Sequence, residues 1–514
     1  MHAIQCIGVL MLFSRIAASL PVSPGPPLMS AKLRTALRRV GLLCCLSLAL
    51  AACATRPVNP PITQAALGGG YRLETRPARV ANQDNLVILA FSGGGTRAAA
   101  FSYGTLEFLR STDFVSSTGN SGRLIDAVGV ITGVSGGSFT ALAYGLYGDR
   151  LFDEYEQRFL KRDVQGELIK RAATPTHWPS LLSGTWGRSE LASDLYDEIL
   201  FGNATFSDLQ RTNGPMIQVS ATDLSTGARF GFSQALFDIL CSDLGQVRLS
   251  RAAAASSAVP VVLSPITIRN HGGSCGWAPP VWTDRFLNTS TPPRPAARAI
   301  RSMRALQAFG DGAARPYLHL VDGGVSDNVG MRGVLDALEV TEALHFVGEP
   351  TNIGQAKRIV VFVVNSLSSP PTPWDRADMP PGAVDIMLKS AGVPIDHFSY
   401  ESIELLRDIS MRWRVMNDIR EKTVASAGAN PDIVAATQVP PAEIYAIDVS
   451  FAALKGDPEF EYLNSLPTSF RLPDEAVDRL RAAAGRIIME SPDFKRLIKD
   501  AGLKITPRPL PITR

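Results

Sequence analysis

The sequence predicts an α/β fold with a mainly parallel central sheet, because the order strand, glycine turn, helix occurs twice in succession. In the first unit an apolar run at residues 85–91 leads into Ser-Gly-Gly-Gly at residues 92–95, and a small-residue helix pattern follows. In the second unit an apolar run at residues 127–134 leads into Ser-Gly-Gly at residues 135–137, again before a helix pattern. Continuous apolar runs are typical of strands buried in a parallel sheet, and the repeated unit is typical of α/β winding.

Later segments continue this pattern. Strands are predicted at residues 216–222, 228–232, 317–321, 358–364 and 444–449, and helices at residues 251–258, 398–421 and 474–489. Residues 150–213 are predicted to form a mostly helical insertion. Residues 267–315 are rich in Gly, Pro and Arg and contain Trp277 and Trp282, so we predict a lid or binding insertion there. One α/β domain with insertions is the simplest interpretation.

Composition sets the broad class of protein. An apolar content of 45% with 19% charged residues is that of a globular protein with a substantial core. Residues 1–52 contain five basic side chains and no acidic one, so the formal charge of +3 becomes −2 without them. No long block of like charge occurs, and we predict no nucleic-acid partner. The oligomeric state stays unknown from the sequence.

The first 52 residues have the pattern of a secretory signal. Basic residues precede an apolar run at residues 40–50, which is too short for an ordinary membrane-spanning helix. The stretch Leu-Ala-Ala-Cys ending at Cys53 resembles the lipobox of bacterial lipoproteins, which implies cleavage before Cys53 and lipid on that residue. Translation from Met29 would give the signal a normal length. Residues 53–84, rich in Pro, Ala and Gly, are predicted to be a tether.

The lipoprotein interpretation implies a lipid-anchored location in the bacterial cell envelope. Ala54 stands where an Asp marks inner-membrane retention in some bacteria, which favours the outer membrane facing the periplasm. In the alternative interpretation Cys53, like Cys44 and Cys45, is a small apolar residue of an uncleaved anchor. An oxidising periplasm would allow a disulfide between Cys241 and Cys275. Two separate buried thiols are an equal alternative.

Ser135 is the candidate nucleophile. The sequence Gly-Val-Ser-Gly-Gly at residues 133–137, between a strand and a helix, is typical of a nucleophile elbow. In this tight turn the hydroxyl projects outwards and the neighbouring residues must be small. The following helix would point unpaired backbone N–H groups at the serine. The alternative is a glycine-rich surface turn with an unreactive serine.

The first glycine turn has two interpretations. Gly93-x-Gly95-x-x-Ala98 loosely matches a dinucleotide fingerprint. Alternatively, the bare amides of Gly93, Gly94 and Gly95 at a helix N-terminus form an oxyanion hole. The second turn at Ser135 favours the oxyanion hole, because the dinucleotide interpretation leaves that turn unexplained. A P-loop is excluded, since no Gly-Lys-Ser/Thr follows.

A serine nucleophile needs a base, and no histidine is well placed for that role. His177 lies in the helical insertion, His271 lies in the irregular stretch, and His345 and His397 have no motif around them. His319 would point to the opposite face of its strand from Asp322. We therefore interpret these histidines as structural or solvated.

Asp322 is better placed than any histidine. It ends a predicted strand and is followed by two glycines. If that strand is parallel to its neighbours, Asp322 and Ser135 meet at the carboxyl edge of the sheet, where α/β proteins bind ligands. The alternative for Asp322 is a turn-forming Asp-Gly.

Four segments together resemble the patatin-like phospholipases, in the order found in that family. They are Phe-Ser-Gly-Gly-Gly-Thr-Arg (residues 91–97), Gly-Val-Ser-Gly-Gly (133–137), Ala-Ala-Ala-Ser-Ser-Ala-Val-Pro (253–260) and Val-Asp-Gly-Gly-Val (321–325). The resemblance implies a three-layer α/β/α fold with a catalytic domain over residues 85–340. Residues 341–514, which the motifs do not cover, are predicted to be a C-terminal α/β part packed on the same domain.

The family uses a Ser–Asp dyad without histidine, in agreement with the histidine search. The resemblance implies that Ser135 is the nucleophile and Asp322 the base, with an oxyanion hole formed by the amides of Gly93, Gly94, Gly95 and Gly136. It also implies a lipid acyl hydrolase that cleaves phospholipid or lysophospholipid. No metal or organic cofactor is implied. With lipid on Cys53, the partners would be a lipid substrate and a membrane.

The Ser-Gly-Gly-Gly-x-Arg-Ala form of the first turn is closer to the cytosolic phospholipase relatives than to many patatins. Many patatins have Asp or Gly in place of Ser92 and Gly in place of Ala98. In the cytosolic relatives the arginine is thought to help hold substrate phosphate, which implies a substrate-binding role for Arg97. An exposed arginine in the first helical turn is the equal alternative.

Two other functions are alternatives to ester hydrolysis. A nucleotide-binding oxidoreductase would use Gly93-x-Gly95-x-x-Ala98 and would need an acidic residue at the end of the next strand, about 20 residues on. The chain offers only Asp113 there, in a loop-like stretch. A non-catalytic lipid-binding protein is the second alternative, and the intact Ser135 and Asp322 count against it.

Overall fold

The structure is a computed structural model, and it describes residues 55–65, 68–73, 75–76, 85–117, 119–283, 297–346, 349, 353, 356–370, 372, 374–425 and 430–508. The predicted signal segment, Met29 and Cys53 lie outside the described residues. Within the described ranges, no helix combines the length and apolarity needed to cross a bilayer.

A central sheet of eight strands is built from the apolar runs of the sequence. In chain order the strands of the protein are β1 Asn85–Phe91, β2 Thr112–Ser116, β3 Ser121–Arg123, β4 Val128–Val134, β5 Met216–Asp223, β6 Arg229–Phe232, β7 Ile266–Arg269, β8 Tyr317–Asp322, β9 Arg358–Asn365, β10 Glu443–Ser450 and β11 Leu503–Pro507. The order in the central sheet is β10-β9-β1-β4-β5-β8-β7, and β6 pairs with β5 as a branch. The first five strands of this order run parallel to one another.

Helices follow most of the strands. They are α1 Thr96–Ser111, α2 Gly136–Tyr147, α3 Leu151–Tyr155, α4 Val164–Ala173, α5 Trp178–Leu181, α6 Arg188–Tyr196, α7 Phe206–Arg211, α8 Gln234–Ile239, α9 Leu249–Ser256, α10 Ala297–Gln307, α11 Gly324–Asp327, α12 Arg332–Phe346, α13 Ala383–Ala425, α14 Pro431–Ala436, α15 Pro458–Asn464, α16 Asp474–Glu490 and α17 Pro492–Asp500. Two π-helical turns, Glu156–Leu160 and Asp197–Phe201, extend α3 and α6. Short 3-10 turns lie at Leu124–Ala127, Gly148–Arg150, Pro175–His177, Leu244–Gln246, Val281–Thr283, Ala308–Gly310, Trp374–Arg376 and Phe451–Leu454.

The central sheet is covered on both faces, so the predicted three-layer α/β/α fold with a mainly parallel sheet is confirmed. On one face, Leu89 and Ile131 belong to a buried cluster with side chains of α1, α2, α9 and α16. On the other face, Ile88 and Val361 belong to a second cluster with side chains of α12 and α13. Because strands buried on both faces have no polar side, their sequences are continuous apolar runs rather than alternating ones.

The direction of β8 differs from the sequence-based expectation. β8 pairs antiparallel with β5, with Asp322 opposite Ala221. β8 also runs antiparallel to β7, and Arg269 at the end of β7 pairs with Tyr317 at the start of β8. On the other side of β5, Val134 pairs with Ser220. The carboxyl ends of β4 and β8 therefore approach from opposite directions and meet at the level of Ser220 and Ala221 of β5.

The segments beyond residue 340 extend the sheet and add a smaller one. β9 pairs with β1, and β10 pairs with β9, both in parallel. A three-stranded sheet of order β11-β2-β3, which the sequence did not indicate, joins residues near the end of the chain to the segment after α1. Residues 150–213 are mostly helical, as expected. The described residues between 267 and 315 are less irregular than expected, because they contain most of β7 and all of α10; residues 284–296 of the predicted lid lie outside the described residues.

A disulfide joins Cys241 and Cys275, whose Cα atoms are 5.5 Å apart, so the first of the two alternatives for these cysteines applies. Part of the predicted tether lies against this disulfide. The Ile62 amide donates to the Cys241 carbonyl at 2.9 Å, and the Ala65 amide donates to the Cys275 carbonyl at 3.3 Å. Asn59 is 4% exposed, and its side chain exchanges hydrogen bonds of 2.8 Å with the main chain of Arg269.

Candidate active site

Ser135 occupies a sharp turn between β4 and α2. Its φ of 48° and ψ of −120° lie outside the regions that ordinary side chains adopt. Such backbone strain persists only where the surrounding structure holds it, and it concentrates at functional sites. A side chain at Gly136 would collide with the Gly95 carbonyl, so this position has to be glycine. The two glycine turns of the sequence therefore pack backbone to backbone, with Ser135 beside them.

Asp322 meets Ser135 at the carboxyl edge of the sheet. The Ser135 hydroxyl donates to Oδ2 of Asp322 at 2.9 Å, and the Gly324 amide donates to Oδ1 at 2.7 Å. The Asp322 main chain is held as well, because its amide donates to the Ala258 carbonyl and its carbonyl accepts from Thr222 Oγ1. Ser135 and Asp322 are 6% and 7% exposed, so the hydrogen bond between them is shielded from water.

Burial controls the protonation of this carboxyl group. Loss of hydration raises the pKa of Asp322 to about 6, while the hydrogen bonds from Gly324 and Ser135 act in the opposite direction. Among the described residues, no positively charged side chain contributes to this pKa shift. A carboxyl with a raised pKa is a better proton acceptor than an ordinary aspartate and is still ionised at neutral pH.

The predicted oxyanion donors divide into two groups. The amides of Gly94, Gly95 and Gly136 have no hydrogen-bond acceptor among the described residues. The Gly93 amide, in contrast, donates to the Asn328 carbonyl at 2.8 Å. Because that N–H is already engaged, Gly93 contributes the shape of the turn rather than a free donor. Gly94 and Gly95 have φ values of 141° and 62°, which explains why the turn needs glycine at both positions.

Arg97 is in neither of the two environments considered from the sequence. Its guanidinium is buried and donates to the carbonyls of Ser366 and Leu466, both at 2.7 Å, and to Thr468 Oγ1 at 3.1 Å. Burial lowers the pKa of Arg97 to about 10, and the nearby Asp396 partly offsets this effect. Arg97 is 3% exposed, so the alternative of a solvated side chain is wrong. Its contacts join the first glycine turn to the C-terminal part and favour a structural role over phosphate binding.

Ser256, at the end of α9, connects the parts of the site, and the sequence reasoning assigned it no role. Its Oγ accepts a hydrogen bond from the Ser135 amide at 2.8 Å and donates to the Ser220 carbonyl at 2.7 Å. Its own carbonyl accepts from the Gly323 amide at 3.0 Å. Ser256 therefore contacts the nucleophile turn, β5 and the residue after Asp322. Its place in the third family segment was the only signal of this role in the sequence.

The histidines lie apart from this pair, as the sequence reasoning expected. The His319 side chain is exposed and contacts Thr267 Oγ1 through Nδ1 at 3.0 Å, and the His271 ring contacts the Asn59 carbonyl at 3.1 Å. Neither ring contacts Ser135 or Asp322. In the part of the chain that the structure describes, no group of three or more His, Cys, Asp or Glu side chains is arranged around a possible metal position.

A mainly parallel sheet that presents a serine on a strained strand-to-helix turn is the architecture of the nucleophile-elbow proteins. The sequence comparison makes the class specific. Residues 89–335 match the family described as patatin-like phospholipase, so this part of the chain is a patatin-like phospholipase domain. No curated protein sequence matches the chain.

Three solved structures resemble the chain over much of its length. Human GIVD cytosolic phospholipase A2 is 14% identical, with a TM-score of 0.37, over 92% of this chain and 64% of the human one. Its complex with methyl gamma-linolenyl fluorophosphonate is 14% identical, with a TM-score of 0.37, over 84% and 63%. Its complex with that inhibitor and terbium chloride is 12% identical, with a TM-score of 0.39, over 87% and 65%. The chain thus spans less than two thirds of the human protein in each comparison.

Proposed function

We propose that this protein is a serine acyl hydrolase that cleaves ester bonds of phospholipids or lysophospholipids with a Ser135–Asp322 dyad. The observation that carries the proposal is the 2.9 Å hydrogen bond from the Ser135 hydroxyl to Asp322 at a strained strand-to-helix turn. The match of residues 89–335 to the patatin-like phospholipase family supports the lipid ester as the substrate class.

In the first half of the reaction, Ser135 Oγ attacks the ester carbonyl carbon while its proton passes to Asp322 Oδ2. The negative charge that develops on the carbonyl oxygen is stabilised by the amides of Gly94, Gly95 and Gly136, together with the positive end of the α2 dipole. Collapse of the tetrahedral intermediate breaks the bond to the alcohol. The leaving oxygen takes the proton from Asp322, and the acyl group stays on Ser135.

In the second half, a water molecule attacks the acyl-serine ester and gives its proton to Asp322. The same three amides again stabilise the negatively charged oxygen, and the bond between the acyl carbon and Ser135 Oγ then breaks. Asp322 returns its proton to the serine, and a fatty acid leaves. Because one carboxyl group serves as acid and as base, its pKa has to lie near the working pH, and burial moves the pKa of Asp322 in that direction.

We also propose that lipid on Cys53 anchors the protein in the bacterial cell envelope, at the outer membrane. The support is the lipobox-like sequence that ends at Cys53 and the absence of Asp at the next position. Incorporation of labelled palmitate into the wild type, but not into Cys53→Ser, is the measurement that checks this anchor.

A panel of lipid esters tests the substrate class. We expect the wild-type protein to release fatty acid from at least one glycerophospholipid or lysophospholipid, and to be labelled by a fluorophosphonate on the peptide that contains Ser135. Binding of lipid with neither hydrolysis nor labelling would instead identify a non-catalytic lipid-binding protein. Tight binding of a nicotinamide dinucleotide, measured by calorimetry on the same sample, would support the oxidoreductase alternative.

Ser256 is a positioning residue in this proposal, because it acts through the Ser135 backbone. Removal of its hydroxyl in Ser256→Ala leaves the Ser135 amide and the Ser220 carbonyl without their partner. We expect kcat to fall about 10- to 100-fold, since small displacements of a nucleophile have effects of that order. KM should stay unchanged, because the hydroxyl is buried and both of its hydrogen bonds are made to the main chain.

Ser250→Ala is the matched control for this experiment. Ser250 is buried in the same helix, α9, and among the described residues its hydroxyl forms a hydrogen bond only with the Ser193 hydroxyl, at 3.0 Å. We expect Ser250→Ala to keep its kcat, and Ser256→Thr, which retains a hydroxyl, to recover part of the lost rate. Equal losses of kcat in Ser250→Ala and Ser256→Ala would show that the effect comes from packing in α9 rather than from Ser135.

A further inference from the structure

The loop that follows α9 exposes two valines beside the candidate active site. Val261 and Val262 are 58% and 60% exposed, and Pro260 is exposed as well. We call residues 260–262 the valine loop. The valine loop is thus an apolar stretch of three consecutive exposed residues, and contiguous exposed apolar patches are the features that mark contact sites with proteins or membranes.

The valine loop is held in place at both ends. On its N-terminal side, the carbonyls of Ser256 and Ala258 accept the amides of Gly323 and Asp322, both at 3.0 Å. On its C-terminal side, Ser264 accepts two hydrogen bonds from Ser189, one from the amide at 3.1 Å and one from the hydroxyl. The exposed valines therefore project from a segment that hydrogen bonds hold at both ends. The residues just before this segment bind the main chain of Asp322.

Val261 has a φ of 73°. A β-branched residue rarely adopts this conformation, and such strain is found where a segment has a function other than stability. The guanidinium of the exposed Arg188 donates to the Val261 carbonyl at 3.1 Å. This contact places a positive charge beside the two valines, and guanidinium groups suit phosphate oxygens.

The N-terminal segment reaches the end of β8 that lies opposite to Asp322. The Arg56 guanidinium lies 5.2 Å from the centre of the Tyr317 ring, at the end of β8 that projects beyond β5. Arg56 is three positions after Cys53, and three steps of extended chain span about 11 Å at most. Lipid on Cys53 would hold this end of β8 close to the bilayer surface, and Asp322 lies five residues, about 17 Å, further along the strand.

From these observations we propose that the valine loop inserts into the lipid bilayer, with Arg188 at the level of the lipid phosphates, and so brings the dyad to its substrate. This inference rests on the proposed function for the substrate and for the lipid on Cys53, whereas the exposed valines and Arg188 are features of the structure itself. Insertion would remove the side chains of Val261 and Val262 from water, and the positive charge of Arg188 matches anionic lipid headgroups. The proposed lipid on Cys53 limits how far the protein lies from the bilayer.

Quenching of a tryptophan by lipids brominated in the acyl chain tests the insertion without reference to catalysis. The full chain, purified in detergent, is reconstituted into vesicles of phosphatidylethanolamine and phosphatidylglycerol as Val262→Trp and as Val115→Trp. Val115 is 49% exposed in β2, which follows the far end of α1. We expect brominated lipid to quench the added fluorescence of Val262→Trp and to leave that of Val115→Trp unchanged. Equal quenching of the two variants would overturn the proposal.

Hydrolysis by the double variant V261D/V262D is the second measurement. Asp accepts a positive φ more easily than Val, so the substitution at residue 261 removes strain. We expect hydrolysis of phospholipid in the vesicle to fall about tenfold or more, with hydrolysis of a water-soluble p-nitrophenyl ester unchanged, and Val115→Asp to match the wild type in both assays. Equal loss in both assays would show that the loop supports the dyad instead. If the wild type hydrolyses neither substrate, the proposed function fails, and the quenching result still decides the insertion.

Discussion

Ser135→Ala is expected to lose essentially all ester hydrolysis, with a rate at least about 10⁴-fold below that of the wild type. The reason is that the acyl group has no other acceptor: the hydroxyl that contacts Asp322 at 2.9 Å is the atom that would form the covalent intermediate. The three free amides remain in place, so lipid still binds. The variant is assayed on the best substrate of the lipid panel, and its labelling by a fluorophosphonate is measured in parallel.

Loss of hydrolysis has to be separated from loss of fold. The Ser135 side chain contributes a single hydrogen bond, so the unfolding temperature of Ser135→Ala should stay close to that of the wild type. Ser250→Ala, which removes a different buried hydroxyl, should be labelled and active. Undiminished hydrolysis or labelling in Ser135→Ala would refute the assignment of the nucleophile, whatever the substrate.

Asp322→Asn is expected to lower kcat by about 10³- to 10⁴-fold. The amide can still accept the hydrogen bond from Gly324, but it cannot take the Ser135 proton. The wild type loses activity as pH falls through about 6, because burial raises the pKa of Asp322 to about 6 and only the ionised form is a base. We expect the residual activity of Asp322→Asn to lack this acid limb. An identical limb in wild type and variant would assign the titration to another group.

The same substitution has an opposite effect on stability. Because the pKa of Asp322 in the folded state is raised above its usual value, folding favours the protonated form. The stability from this preference is present at low pH and is lost as pH rises through about 6. Above that pH the buried charge costs about 3 kcal/mol, which a neutral amide avoids. Asp322→Asn should therefore unfold at an equal or higher temperature at pH 8, measured by calorimetry. A marked destabilisation would indicate a structural role for the carboxylate.

The sequence determined the parts of this protein that depend on local backbone chemistry. The strands β1 and β4 are buried on both faces, so their apolar runs were readable without the fold. The Ser135 turn and the first glycine turn were readable because positive φ values and close backbone contacts require glycine at fixed positions. Asp322 was readable as the base because no histidine had a suitable position in the sequence.

Tertiary structure alone decided how distant segments meet. The antiparallel direction of β8, the Cys241–Cys275 disulfide and the engagement of the Gly93 amide by Asn328 each join residues more than 30 positions apart. Arg97 is buried because segments near residues 366 and 466 close over it, and neither carries a local signal. Ser256 gains its role in the same way. Such contacts depend on how whole layers pack, and a one-dimensional pattern does not encode which segments become neighbours.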